Sequence, residues 1–301
     1  MNPEDFEQQA LPLLYKTKTI KKLDEDTYVF HCTSRNDAGG RVNRNMVVVA
    51  CDGPGGITEL TLIDPLKLTP EGERKLQKLG QITRIVRLGD AIHAAEQDMY
   101  YLKAFGGAKR WAPGELPGCP KLPVHEKLTE TGNTPFPLCK VFCFKETAVP
   151  EAALLLFREG KHGNILVTGD CLQHQLDNEF VNMPVVAKMK LAGLLESDVV
   201  VSQQWLRVMS PPTDFRSISQ SRDRRSSTNR PQMRRMSSLS GRQKRVRGDF
   251  MRMLGMDFRR LISTSGNVVK YGAKKGAVLA VEYAFPLWER SDRGLQPAAR
   301  R

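Results

Sequence analysis

The apolar positions of this 301-residue chain change period several times, and the changes predict a mixed α/β fold. TYVFHCTS at 27–34 has high β propensity, and MVVVAC at 46–51 is short, apolar and β-branched, as a strand buried on both faces should be. ELTLIDP at 59–65 alternates polar and apolar residues. RNDAGGRVNR and DGPGG separate the three as turns. A helix then starts with Thr69 as N-cap, Pro70 at the first helical position and Glu71 and Glu73 in the first turn; Gly80 is its stop. QITRIVRL at 81–88 is a strand, HAAEQDMYYLKAF follows as a helix and AKRWA as a short strand. Residues 113–138, rich in Pro and Gly, read as a long surface loop. KVFCF (140–144), EAALLLF (151–157) and NILVTGD (164–170) are three more strands, with REGKHG a hairpin tip. A helix from about Pro184 to Leu195, a helix running into a strand at 249–262 and a last helix at 273–285 complete the pattern.

Between the last two groups the pattern stops. Residues 211–248 are Ser, Arg, Gln and Asn with almost no aliphatic residues, too few to offset the entropy of ordering, so the segment is predicted to be disordered. Eleven Arg or Lys against Asp223 alone give residues 216–247 a charge of +10, leaving +3 of the chain's +13 for everything else. The basic charge therefore belongs to an insert and argues little for a nucleic-acid-binding body. Residues 216–247, which carry this charge, also lack aromatic residues for base stacking. Nucleic acid is accordingly not an expected partner. Ser226 and Ser227 follow an Arg pair directly, and Ser237 comes two residues after another. That spacing is similar to the pattern read by basophilic kinases, and phosphate there would remove up to about two charges per site. The six cysteines form no C-x-x-C pair and read as reduced core residues. MNPEDFEQQALPLL lacks the basic start and apolar stretch of a secretory signal, and no apolar run of membrane-spanning length occurs; the expected location is the cytoplasm, with the nucleus as the alternative.

Four landmarks arrive in a recognisable order. They are the strand pair MVVVAC and ELTLIDP, the loop in RIVRLGDAIHAAEQDMYY, the hairpin ending in ILVTGD, and FMRMLGMDFRRLISTSGNVV before a helix. In this order the chain resembles the metallo-β-lactamase superfamily, a four-layer αββα sandwich with a metal site at one edge. The resemblance implies a single domain of residues 27–210 with 249–286, an N-terminal extension (1–26), the insert (211–248) and a tail (287–301). It also implies ligand positions. His93 matches the first histidine of the family's His-x-His-x-Asp-His cluster, and Asp98 stands at its third histidine. Ala95 and Gln97 fall where the second histidine and the aspartate belong. Glu146 falls near the next family histidine, Asp170 matches the bridging aspartate and Ser265 replaces the last histidine.

The implied set is one imidazole with two or three carboxylates, short of the His- or Cys-rich set that zinc prefers. It implies no metal or one weakly held divalent ion: zinc, manganese or iron. Two functions follow. One is a catalytically weak or inactive member of the fold that binds a small molecule or a protein. The other is a metal-dependent hydrolase with a rearranged mononuclear site of His93, Asp98 and Asp170, in which bound water is the nucleophile. In either case His93, Asp98 and Asp170 are expected to converge, with Ser265 nearby.

Overall fold

The computed structural model describes residues 14–35, 41–90, 94–119, 122–176, 181–191, 195, 197–209 and 241–286. His93, Ser226, Ser227, Ser237 and the 287–301 tail lie outside the described residues. Seven strands form the first sheet: β1 (Lys16–Lys22), β2 (Thr27–Arg35), β3 (Arg41–Asp52), β4 (Thr58–Ile63), β5 (Gln81–Val86), β6 (Lys109–Ala112) and β7 (Glu126–Lys127), hydrogen-bonded in chain order. β1 to β4 pair antiparallel; β4 to β7 pair parallel. The second sheet has the order β13-β10-β9-β8, built from β8 (Cys139–Phe144), β9 (Glu151–Leu156), β10 (Ile165–Thr168) and β13 (Arg260–Ser263). A small pair, β11 (Leu172–Gln173) and β12 (Val200–Val201), stands apart.

Side chains alternate across each strand, so one strand serves two cores. On β3, Val47 and Val49 face the layer between the sheets, where they meet Leu154 and Leu156 of β9 and Val167 of β10. Met46 and Val48 face outward, under Leu76 of α1 (Pro70–Gln77) and Tyr101 of α2 (Ala94–Ala104). On β9, Ala153 and Leu155 turn the other way, to Trp205 of α4 (Gln203–Met209), Phe250 of α5 (Gly241–Leu254) and Ala277 of α6 (Ala273–Ala284). With α3 (Met183–Leu191) between β11 and β12 in the chain, the layers run helix, sheet, sheet, helix, an αββα sandwich.

Three boundaries differ from the reading by composition. β1 lies inside the stretch taken as an N-terminal extension, with Ile20 opposite Phe30 on β2. The 113–138 segment is packed down by Leu116, Cys119, Leu122, Leu128 and Phe136, all buried. Residues 241–248, assigned to the insert, are the first half of α5. Val246, Phe250 and Leu254 are buried at four-residue spacing, which anchors an otherwise charged turn and which average composition conceals. Asp249 of α5 accepts the backbone N–H groups of Lys145 and Glu146, each at 2.8 Å.

A buried ion network closes the α2 side. Arg87, just past β5, donates Nη2 to Asp98 Oδ1 (2.5 Å) and Nη1 to Asp64 Oδ1 (3.3 Å). Arg110 on β6 donates Nε to Asp98 Oδ2 at 2.8 Å. Both Asp98 and Arg110 are fully buried. Removing the shared acid would leave Arg110 in the interior without a counter-charge and Arg87 with Asp64 alone. Asp98→Asn should cost about 3–5 kcal/mol in denaturant unfolding, the range for breaking a buried ion pair from one side. Glu71→Gln, in the exposed Lys75 pair, should leave the midpoint unchanged, and equal midpoints for the two variants would contradict this assignment.

Candidate functional site

The edge between the sheets opens into a cleft of about 340 Å³. Its polar side is built from segments at or near strand ends. β3 contributes Asn43 and Arg44, the end of β4 Asp64, the turn after β5 Gly89 and Asp90, and the start of β9 Glu151. Asp170 follows β10, Gln173 ends β11 and Gln175 lies two residues past it, and Thr264 and Ser265 follow β13. Met189 of α3 and Trp205, Val208 and Met209 of α4 supply an apolar wall.

Asp170 sits at the centre of the polar side. Arg44 Nη1 donates to both its oxygens, at 2.8 and 2.9 Å. Thr264 Oγ1 donates to Oδ1 at 2.9 Å and Ser265 Oγ at 3.3 Å. Burial pushes this carboxyl up, but the Arg44 charge and the hydrogen bonds from Arg44, Thr264 and Ser265 more than reverse it and hold its pKa below the usual aspartate value. On the other side, the Asp170 charge raises Arg44's own pKa.

The polar triplet on β3 also joins the two halves of the sandwich. Asn45 N–H donates to Thr264 O at 2.7 Å, and its side-chain amide donates to Ser263 O and Gly266 O at 2.9 and 2.8 Å. Asn43 Oδ1 accepts Gly266 N–H at 3.1 Å. Gly266 has φ +91, and a β-carbon there would stand 2.1 Å from His174 O, so this contact requires glycine.

Two further acids border the cleft. Asp64 accepts Leu88 N–H at 3.1 Å as well as Arg87, and burial pushes its pKa up to about 6 despite that guanidinium. Glu151 is 3% exposed and its Oε1 has no hydrogen-bond partner. Burial, followed by the nearby Asp170 charge, pushes its pKa well above the usual carboxylate range.

The sequence-derived candidates separate. Asp170 and Ser265 meet in the cleft. Asp98 does not line it: α2 begins at Ala94, so Asp98 lies a turn into the helix and points into the Arg87–Arg110 network. Glu146 is elsewhere, its Oε2 accepting Arg245 Nε at 2.8 Å beside α5. His174 lies between Gln173 and Gln175, and strand alternation turns it from the cleft to the Asp198 carbonyl. The residues that sequence reasoning passed over are Arg44, Asp64, Asp90, Glu151, Gln173 and Trp205. Glu151 did carry a signal, as an acid at the head of the otherwise apolar EAALLL.

Among the described residues, which do not include His93, the fit to a metal is poor. Among the described residues no group of three His, Cys, Asp or Glu side chains could hold an ion. A cation at Asp170 would have to displace a guanidinium and two hydroxyl donors. Among the described residues the other acids lining the cleft are Asp64, already paired with Arg87, Glu151, whose burial disfavours its charged form, and Asp90. No step is therefore derived through a metal.

Neither protein-family models nor curated proteins gave a match. Among solved structures the chain is similar to metallo-β-lactamases and flavodiiron cores. A diflavin flavoprotein A 5 fragment from Nostoc sp. PCC 7120 is 10% identical at TM-score 0.54, covering 91% of this chain and 98% of that one. The metal-soaked Flv1 flavodiiron core from Synechocystis sp. PCC6803 is 10% identical at TM-score 0.53, covering 90% of this chain and 61% of that one. VMB-1 is 14% identical at TM-score 0.51, covering 88% and 97%. The fold is thus that of the metallo-β-lactamases, as the order of landmarks implied.

The lowered pKa of Asp170 fixes the sign of a pH dependence. Its contribution is full above the unfolded carboxylate value and is lost as pH falls through the lower folded value. Asp170→Asn should cost about 1.5–3 kcal/mol near neutrality, the range for hydrogen bonds to a charged group. The gap from wild type should narrow as pH drops below about 4. A gap that widens in acid would contradict the assigned ion pair.

Proposed function

We propose that this chain is a binding member of its fold, with no efficient hydrolytic activity, whose cleft takes up a small molecule. The observation that carries the reading is the Arg44–Asp170 pair. The resemblance gives Asp170 the role of bridging two metal ions, yet both its oxygens accept from one guanidinium nitrogen at 2.8 and 2.9 Å. A charge fixed by covalent attachment neutralises Asp170 without a free ion. The arginine cannot deprotonate to yield a hydroxide-like nucleophile, nor does it offer an open coordination position for water. The other ligand positions support the reading. Ala95 has no donor group, Gln97 brings a neutral amide, and Ser265 is occupied as a donor to Asp170.

What remains is a pocket with a polar floor and an apolar wall, the usual composition of a small-molecule site. Among the described residues no helix is long and apolar enough to cross a membrane. The proposed regulatory input is phosphorylation at Ser226, Ser227 or Ser237, supported by the spacing of arginines before them.

The rival reading is a mononuclear hydrolase. It would need Arg44 to swing away from Asp170 and Glu151 to turn to the ion as a ligand. Elemental analysis after incubation with zinc, manganese or ferrous iron and desalting separates the two. It should be run beside a screen of ester, thioester, lactam and phosphodiester substrates. The expected result is well under one metal per chain and hydrolysis at the buffer rate. One tightly held metal per chain, lost together with turnover in Asp170→Ala, would establish the hydrolase instead.

A further inference from the structure

Glu151 is the cleft's unexplained group. It opens β9, is 3% exposed, and its Oε1 has no hydrogen-bond partner. A buried polar atom left unpaired costs about 1–3 kcal/mol, so it calls for a reason. Space for the carboxyl is kept by glycines on two other segments. A β-carbon at Gly89 would stand 2.3 Å from Glu151 Oε2, and one at Gly169 would stand 2.9 Å from Oε1. The carboxyl and both glycines line the cleft.

The surroundings say what kind of partner is missing. Among the described residues four carboxyl groups line the cleft, Asp64, Asp90, Glu151 and Asp170, against one cationic side chain, Arg44. Arg44 is committed to Asp170, and Asp64 is held by Arg87. Among the described residues no Lys or Arg lies within ion-pair distance of Glu151 or Asp90. Facing this acidic side is the wall of Met189, Val208, Met209 and Trp205, whose indole N–H is turned toward Glu151 but lies outside hydrogen-bond geometry, leaving Trp205 Nε1 and Glu151 Oε1 both unpaired. Val208 is largely exposed, so the wall continues to the mouth of the cleft.

We propose that the cleft binds an organic cation, an ammonium group on an aromatic or aliphatic body, with an ammonium N–H donating to the Glu151 carboxyl group and the body against Trp205, Val208 and Met209. The ammonium supplies both the missing hydrogen bond and the missing positive charge. The apolar body accounts for a wall that a hydrated inorganic ion would not use. This inference rests on the binding reading above and names its ligand class.

The test uses the full-length chain and three probes that share a ring and differ in charge: phenethylammonium, phenethyl alcohol and phenylacetate. Affinities are read by ligand-detected NMR titration. Phenethylammonium should bind saturably and at least roughly ten-fold more tightly than the alcohol, a difference of about 1.4 kcal/mol. Phenylacetate should bind most weakly. Glu151→Gln should abolish the preference for the ammonium over the alcohol, and Gly89→Ala, which drives a methyl into the carboxyl, should weaken the ammonium in the same way. The comparison of probes on the wild-type protein stands even if neither variant folds. A preference for phenylacetate would make the cleft an anion site anchored on Arg44 and overturn the proposal. So would equal affinities, or no binding by any of the three. If the elemental analysis meanwhile finds no metal, only the ligand class fails. Stoichiometric metal would instead remove the binding reading on which it rests.

Discussion

Asp170 needs a counter-charge, and what supplies it determines the character of the whole cleft. The carboxylate sits past the end of β10, where strand ends from both sheets meet. It is partly shielded from water, so a bare negative charge there would be costly. In this chain the counter-charge is Arg44, carried on β3 of the opposite sheet. The pair is both a neutralising device and a tie between the halves, beside the backbone and amide hydrogen bonds of Asn43 and Asn45. A metal in the same place would leave coordination positions for water and substrate. A guanidinium gives fixed donors and a fixed charge.

The same solution recurs in the first half of the molecule. Asp98 stands where the resemblance places a metal-binding histidine, and it too is satisfied by arginine, from Arg87 and Arg110. Two acids that could have been offered to an ion are thus bound inside the protein's own ion pairs. The two differ in exposure. Asp98 has no access to solvent, while the Arg44–Asp170 pair borders an open cleft that retains room for a guest. Glu151 is the exception among the acids, since it borders the cleft and its buried Oε1 has no hydrogen-bond partner.

Much of the fold could be read from local pattern. Strands buried on both faces, such as MVVVAC, carry long β-branched runs, and the order of landmarks then distinguished a sandwich from other α/β arrangements. Where local composition misled, a few residues outweighed their neighbours: Ile20 on β1, and Val246 at the head of α5. The site was less legible. Asp170 and Ser265 emerged because each lies next to a recognisable strand end. Asp98 was reached by counting along a loop, but the count ran into α2 and so carried the residue to the wrong side of Arg87. Arg44 was hidden in a polar stretch that looked like a turn and is in fact β3 pairing with β2. Its partner lies 126 residues away, and no spacing rule links the two. Gln173 and Gln175 reach the cleft through strand alternation, which needs the register of β11 to be known.

The central claim is that arginine does the electrostatic work at Asp170. A double-mutant cycle on Arg44→Met and Asp170→Asn, measured by denaturant unfolding with and without a strong chelator, tests it directly. The account predicts a coupling energy of about 1–3 kcal/mol, within the range for residues in one ion-pair network, and identical wild-type stability with and without chelator. A coupling below about 0.5 kcal/mol, the scatter expected of independent sites, or a wild-type stability that falls when the chelator is added, would contradict it.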